Sequence, residues 1–139
     1  MKLSVKSDYA SRAVLTLARN YPRGTVTRVE DLAKEHGIPP AYLVQILIEL
    51  KSTQIVKSVR GKEGGYLLAR PPAKITFGDV LRAVHGAIID TPALSDPECP
   101  PEIRHAWEHL QGSAETAADS LNFQQLLEQG EEKQKMYYI

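Results

Sequence analysis

Apolar residues recur at helical spacing from Ser7 to Tyr21, where Tyr9, Ala10, Ala13, Val14, Leu17, Ala18 and Tyr21 follow one face. Pro22 and Gly24 end that predicted helix. Thr27 and Glu30 have the Thr-x-x-Glu spacing of a capping box, which predicts a second helix closed by Gly37. Pro39-Pro40 opens a third predicted helix that runs to about Ser52. On its wheel Leu43, Ile46, Leu47 and Leu50 form the core side. Ala41, Gln45, Ile48 and Ser52 face the opposite way, with Tyr42, Val44 and Glu49 on the flanks. Two short helices joined through Gly-Ile-Pro fit a helix-turn-helix.

The periodicity then changes. Val56 to Leu68 reads as two short β-prone runs around a glycine-rich turn that carries Lys57, Arg60 and Lys62. A hairpin with a basic tip suits a phosphate backbone or a minor groove. Helix, turn, helix and basic hairpin, in that order, predict a winged helix-turn-helix with DNA as its partner. Arg70-Pro71-Pro72 ends the hairpin, and Thr76 and Asp79 predict a capped helix through about His85. Asp90 to Pro100 holds three prolines and no period, so it reads as a loop. A longer helix is expected from Pro101 to Ser120, with Ile103, Ala106, Trp107, Leu110, Ala114 and Ala117 as its apolar stripe. Leu121 to Gln129 predicts a last short helix. Residues 131–139 read as a polar tail whose end, Met136-Tyr137-Tyr138-Ile139, has the apolar character to dock. The fold class is therefore mainly α with a small β-hairpin wing.

Charge sharpens the reading. The net charge is zero, yet residues 1–75 carry 13 Lys and Arg against 6 Asp and Glu, a balance of +7. Residues 76–139 carry 4 against 11, a balance of −7. A basic N-terminal half is the footprint of a nucleic-acid-binding module, and the acidic half suits association or sensing instead. The chain has 139 residues and 42% hydrophobic content, enough for one core plus an extra element. No apolar run reaches membrane-spanning length and no signal-peptide pattern opens the chain, so a cytoplasmic protein without membrane partners is expected. One cysteine, Cys99, excludes an intrachain disulfide. No phosphate loop, nucleophile–base pair or zinc-protease motif is present, which argues against an enzyme.

The runs Tyr42-Leu43-Val44-Gln45, Leu50-Lys51, Ile55 to Gly61 and Gly64-Gly65-Tyr66-Leu67-Leu68 closely resemble the Rrf-two family of bacterial winged-helix transcription regulators. That family includes iron–sulfur cluster, nitric-oxide-sensitive and cysteine-metabolism regulators. Met1 to Ser4 and Tyr9-Ala10 are similar too, and the likeness weakens after Asp90. The resemblance implies a homodimer with a winged helix-turn-helix over residues 1–85 and a sensor-type loop over 86–100. A dimerisation helix and short C-terminal helix would follow over 101–130, then a tail over 131–139. Ile103, Trp107, Leu110, Ala114 and Ala117 would then line a two-fold interface. Repression is the family's commoner mode.

The resemblance also implies that the third helix enters the major groove and the wing the minor groove. Tyr42 and Gln45 match DNA-contacting helix positions, and Ser58, Arg60 and Gly61 match wing positions. The residue chemistry agrees. Gln45 can pair with adenine, Tyr42 can donate to a phosphate, and Arg60 suits a narrow electronegative minor groove. Lys51, Lys57 and Lys62 would neutralise phosphates. Pro39, Ala41 and Val44 stand where better-known members carry serines or an acidic residue, so the operator should differ. Val44 or Ile48 could touch a thymine methyl, while Ile48 could equally pack on the wing or the first helix.

Many relatives hold an iron–sulfur cluster with three cysteines before the long helix; this chain has only Cys99. A cluster-free regulator is therefore expected, controlled by a partner protein or small ligand. An alternative is a metal, cluster or redox sensor that uses Cys99 with Asp8 and His105. Asp8 matches a position where some relatives supply a carboxylate ligand across the dimer, and His105 and His109 lie one turn apart. His36 and His85 show no partner pattern. Cys99 could also form an intersubunit disulfide or a sulfenic acid, or be inert; Arg104 is the one basic residue near it in sequence. A further alternative is a protein-interaction module that has lost operator binding.

Overall fold

Burial of those apolar faces sets the order of elements in the computed structural model, which describes residues 3–137. Helices α1 (Val5–Asn20), α2 (Val29–His36) and α3 (Pro40–Ser52) come first. Strands β1 (Val56–Val59) and β2 (Gly65–Leu68) follow, then α4 (Phe77–Val84), α5 (Pro101–Asp119) and α6 (Phe123–Tyr137). The fold is that of a winged helix-turn-helix with two further helices.

The core forms where the predicted stripes meet. Ala10, Ala13, Val14, Leu17 and Ala18 of α1 pack with Leu32 and Ala33 of α2. The predicted inner face of α3, Leu43, Ile46, Leu47 and Leu50, is wholly buried in the same cluster. Burying four such side chains stabilises the fold by about 1.5–3 kcal/mol each, enough to fix which face of α3 points inward. Gly37 ends α2 with φ 64°, and Ile38 then tucks into the core, so the turn between α2 and α3 is set by a left-handed glycine and an apolar anchor.

The Thr27–Glu30 capping box does not form. α2 starts at Val29, and the residue before it, Arg28, makes no side-chain cap. Thr27 instead exchanges both backbone hydrogen bonds with Tyr66, at 2.9 and 2.8 Å. Its hydroxyl accepts from Asn20 Nδ2 at 2.9 Å. Two ladder bonds to a strand outweigh one cap bond, so tertiary pairing overrides the local signal. The wing is thereby stitched to the segment that precedes α2.

The predicted box at Thr76 and Asp79 does form, with both reciprocal bonds at 3.0 Å. A second box, unforeseen, opens α6: the Gln125 backbone donates to Asn122 Oδ1 at 2.8 Å, and the Asn122 backbone donates to Gln125 Oε1 at 3.0 Å. α6 also outruns the short helix expected for it. It continues to Tyr137 through most of the stretch read as a tail, with Phe123, Leu126 and Leu127 packed on the main core. Docking by Met136 to Ile139 lies outside the side chains described.

The Asp90–Pro100 loop is more ordered than its prolines predict. It contains a 3-10 turn at Pro92–Leu94, started by a Thr91 hydroxyl. Just before it, Ile88 and Ile89 join Leu81 and Ala118 in a small separate core between α4 and α5. Polar bonds reinforce that junction. Arg82 of α4 reaches Glu115 at 2.5 Å and Asp119 at 2.6 Å, both on α5, and Asp79 at 3.3 Å. The hydrogen bonds from Arg82 hold the Asp119 carboxyl below its ordinary range. No helix among the described residues is long and apolar enough to cross a membrane.

Candidate nucleic-acid interface

Because Leu43, Ile46, Leu47 and Leu50 are buried, the other side of α3 must face outward. Ala41, Gln45, Ile48 and Lys51 are exposed, and Val44 is half-buried. Ile48 is 49% exposed, so packing on the wing or first helix does not hide it. The Tyr42 ring meets Tyr9 of α1 edge to face with centroids 5.8 Å apart, which steers the ring while leaving it 37% exposed.

The wing pairs Val56 with Leu68, Lys57 with Leu67, Ser58 with Tyr66 and Val59 with Gly65. Its tip carries Arg60, Gly61, Lys62 and Glu63, all exposed. Gly61 has φ 105°, a conformation that side-chain-bearing residues rarely adopt, and the Gly64 N–H donates back to its carbonyl at 3.0 Å. Gly65 is required for a different reason: a Cβ there would sit 2.3 Å from the Thr27 carbonyl oxygen. Among the described residues, Lys57, Arg60 and Lys62 have no acidic partner within ion-pairing distance. Their charges point to solvent from one short hairpin.

Helix and wing are tied together. Lys51 Nζ donates to Ser58 Oγ at 2.8 Å, joining the C-terminal turn of α3 to β1. Lys51 is thus a strut as well as a surface cation. Arg70 holds the connection from behind, donating to the carbonyls of Gln54 and Lys74 at 3.3 and 3.0 Å. Gln54 itself turns the chain at φ 64°. Lys6 of α1 pairs with Glu49 of α3 at 2.6 Å, neutralising the one carboxylate on the outward-facing helix. Sequence reading missed Lys6, Tyr9 and Thr27 in these supporting roles. Pairings 33 to 43 residues apart leave no local signal.

Within the single chain the sensor candidates are not brought together. Asp8 is paired with Arg12 at 2.9 Å within α1. Cys99 is buried, its Sγ directed at the Pro100 carbonyl oxygen 3.6 Å away. Arg104, its basic neighbour in sequence, spends donors on the carbonyls of Asp96 and Cys99 rather than on the thiol. His105 and His109 are exposed on α5. Among the described residues no three His, Cys, Asp or Glu side chains gather as a metal site. A single thiol does not fit a cluster held by three. His36 joins no such group; its Nε2 lies 2.8 Å from Thr16 Oγ1, between α1 and α2.

On α5, Ile103, Ala106, Leu110 and Ala117 are exposed, and Trp107 is half-buried. Ala114 departs from the expected stripe: it leans on the small core with Leu81, Ile88 and Ile89, beside the buried Ala118. The helix thus turns one line of small residues to its own chain and leaves a second, larger apolar line uncovered.

The comparisons with known proteins agree with this geometry. The family model Rrf2, described as an iron-dependent transcriptional regulator, matches residues 3–129. CymR of Bacillus subtilis strain 168, an HTH-type transcriptional regulator, is 32% identical over 100% of both chains. An HTH-type transcriptional regulator of Mycobacterium tuberculosis strain H37Rv is 48% identical over 63% of this chain and 54% of its own length. The chain therefore spans about half the length of that relative. Among solved structures, IscR of T. potens is similar at a TM-score of 0.80, with 32% identity over 99% of this chain and 97% of that one. CymR, described as the global cysteine regulator of B. subtilis, superposes at 0.78 with 26% identity, covering 91% of this chain and 95% of that one. These relatives are regulators of transcription, not enzymes, and the chain belongs to the Rrf2 family of helix-turn-helix transcriptional regulators.

Proposed function

We propose that this chain acts in the cytoplasm as a homodimeric, sequence-specific DNA-binding repressor that works without an iron–sulfur cluster. One observation carries the reading: the outward face of α3 and the basic tip of the wing are exposed, adjacent and braced to each other through Lys51 and Ser58. Such a pair can present Gln45 to a base edge in the major groove while Arg60 enters the neighbouring minor groove. Ala41, Tyr42, Val44 and Ile48 flank the first contact, and Lys57, Ser58, Gly61 and Lys62 flank the second. Ile103, Leu110 and Ala117, with Trp107, then meet a second copy across a two-fold axis, so that two half-sites are held at once. A dimer seated this way excludes other proteins from the stretch of duplex it covers.

The cluster-free part of the reading rests on donor chemistry, one buried thiol per chain. Control then falls to an effector protein or a small ligand. The test is to purify the protein without air, measure its iron, and select duplexes from a random library. Enrichment of a two-fold-related site, with iron far below one atom per chain, is the expected result. Binding that ignores sequence would leave a protein-interaction module instead, and a stoichiometric iron signal would restore the sensor that uses Asp8, Cys99 and His105.

A further inference from the structure

Arg82 lies at the junction between α4 and α5, beside the small apolar core they share. Its guanidinium donates to both oxygens of Asp119, at 2.6 and 3.3 Å, to Glu115 at 2.5 Å and to Asp79 at 3.3 Å. Asp79 is also the capping residue of α4, and Thr76, the cap itself, donates to Asp119 at 3.3 Å. One cation therefore gathers three carboxylates from two helices. Gly78 makes room for this: a Cβ on it would meet Asp119 Oδ1 at 2.2 Å. The residues clamped on α5 lie in its last two turns, with the exposed Leu110 at mid-helix and Ile103 near the other end.

From this arrangement we infer that Arg82 is a positioning residue for operator recognition: it sets the angle of α5 on the DNA-binding unit and hence the half-site spacing the dimer accepts. The inference rests on the dimeric, DNA-binding reading proposed above. The lever is long. Nineteen residues at about 1.5 Å each make α5 about 28 Å long. A tilt of about 5° at the clamp moves its far end by about 2 Å, and two-fold symmetry doubles that to about 4–5 Å between recognition helices. One base-pair step is about 3.4 Å, so a few degrees of freedom at Arg82 matches the rise of one pair, while the accompanying twist of about 35° is taken up by the duplex. Without Arg82, three carboxylates would face one another and drive the two helices apart.

The experiment uses the full chain and 30-base-pair duplexes that the wild type selects from a random library. One base pair is inserted or deleted between the half-sites, and affinity is read by fluorescence anisotropy at fixed salt. The wild type should lose about tenfold or more for either change. Arg82→Gln and Gly78→Ala should lose less than about threefold, with unchanged affinity for an isolated half-site. Gly78→Ala removes no charge from the clamp and pushes Asp119 aside through its added Cβ, so it perturbs the angle without deleting the cation. Asp119→Asn, at an exposed and isosteric position, serves where another variant fails to fold. A merely structural role would lower thermal stability and leave the spacing ratio as it was. Variants that keep the wild-type ratio, or a wild type indifferent to spacing, would overturn the inference. A wild type that selects no duplex would instead remove the proposed function on which it stands.

Discussion

Replacing Arg60 by alanine takes away one wing cation and nothing else. The side chain is exposed, and no acidic partner among the described residues depends on it. The neighbouring turn is held by the Gly61–Gly64 backbone bond, so the wing should keep its shape and the protein its melting temperature. DNA binding should change in two measurable ways. A contacting arginine contributes about 1–3 kcal/mol, so a dimer that loses one from each wing should lose about 2–6 kcal/mol, a fall of about 30-fold or more at moderate salt. A homodimer has two wings, and each neutralised phosphate adds about 0.9 to the slope of log K against log salt. The slope should therefore shrink by about 1.8. Between 50 and 200 mM salt the wild type should lose about twelvefold more affinity than the variant does. Titrations of a selected duplex at four or five salt concentrations give both numbers. Preference for narrow A·T-rich grooves should relax as well. Equal slopes and equal affinities would show that the wing does not touch the duplex.

Gly65→Ala should push β2 off Thr27, destabilising the fold by about 1–3 kcal/mol in urea unfolding and weakening DNA binding with it, because the added Cβ meets a carbonyl oxygen rather than a movable side chain. Leu110→Glu places a charge on the uncovered face of α5; sedimentation should show a shift to monomer with the helical circular dichroism intact, and an unchanged dimer would move the interface elsewhere. Stability should fall in acid through Asp119. Its hydrogen bonds to Arg82 lower its folded-state titration, so the unfolded chain binds more protons across the ordinary carboxylate range. The contribution is complete above about pH 4 and is lost as pH drops through the folded value. Asp119→Asn should flatten the acid limb of melting temperature against pH, whereas Arg82, raised by the same pairing, stays charged throughout and adds no slope of its own.

Elements built from local signals were legible in the chain. The inner face of α3 is periodic enough that Leu43, Ile46, Leu47 and Leu50 could be assigned to the core by spacing alone. Gly37 and the Thr76–Asp79 box mark helix ends through bonds that span only a few residues. The basic hairpin declares itself through its glycines and charges. Thr27 misled because its second partner, Tyr66, lies 39 residues away and offers two backbone bonds. The prolines of residues 90–100 hid an ordered turn, since proline breaks a period without forbidding structure.

What the amino-acid sequence determined unaided was the set of elements, the inward faces of the early helices, and the residue chemistry of helix and wing. These follow from periodicity and from side-chain donors and charges, which belong to single residues. The tertiary structure alone decided that Lys51 braces the wing, that Lys6 neutralises Glu49, and that Arg82 joins α4 to α5. Each of these is a meeting of charged or polar ends, some of them dozens of residues apart. Such groups are soluble in many arrangements, and only the packed core fixes which of them lie within hydrogen-bonding reach.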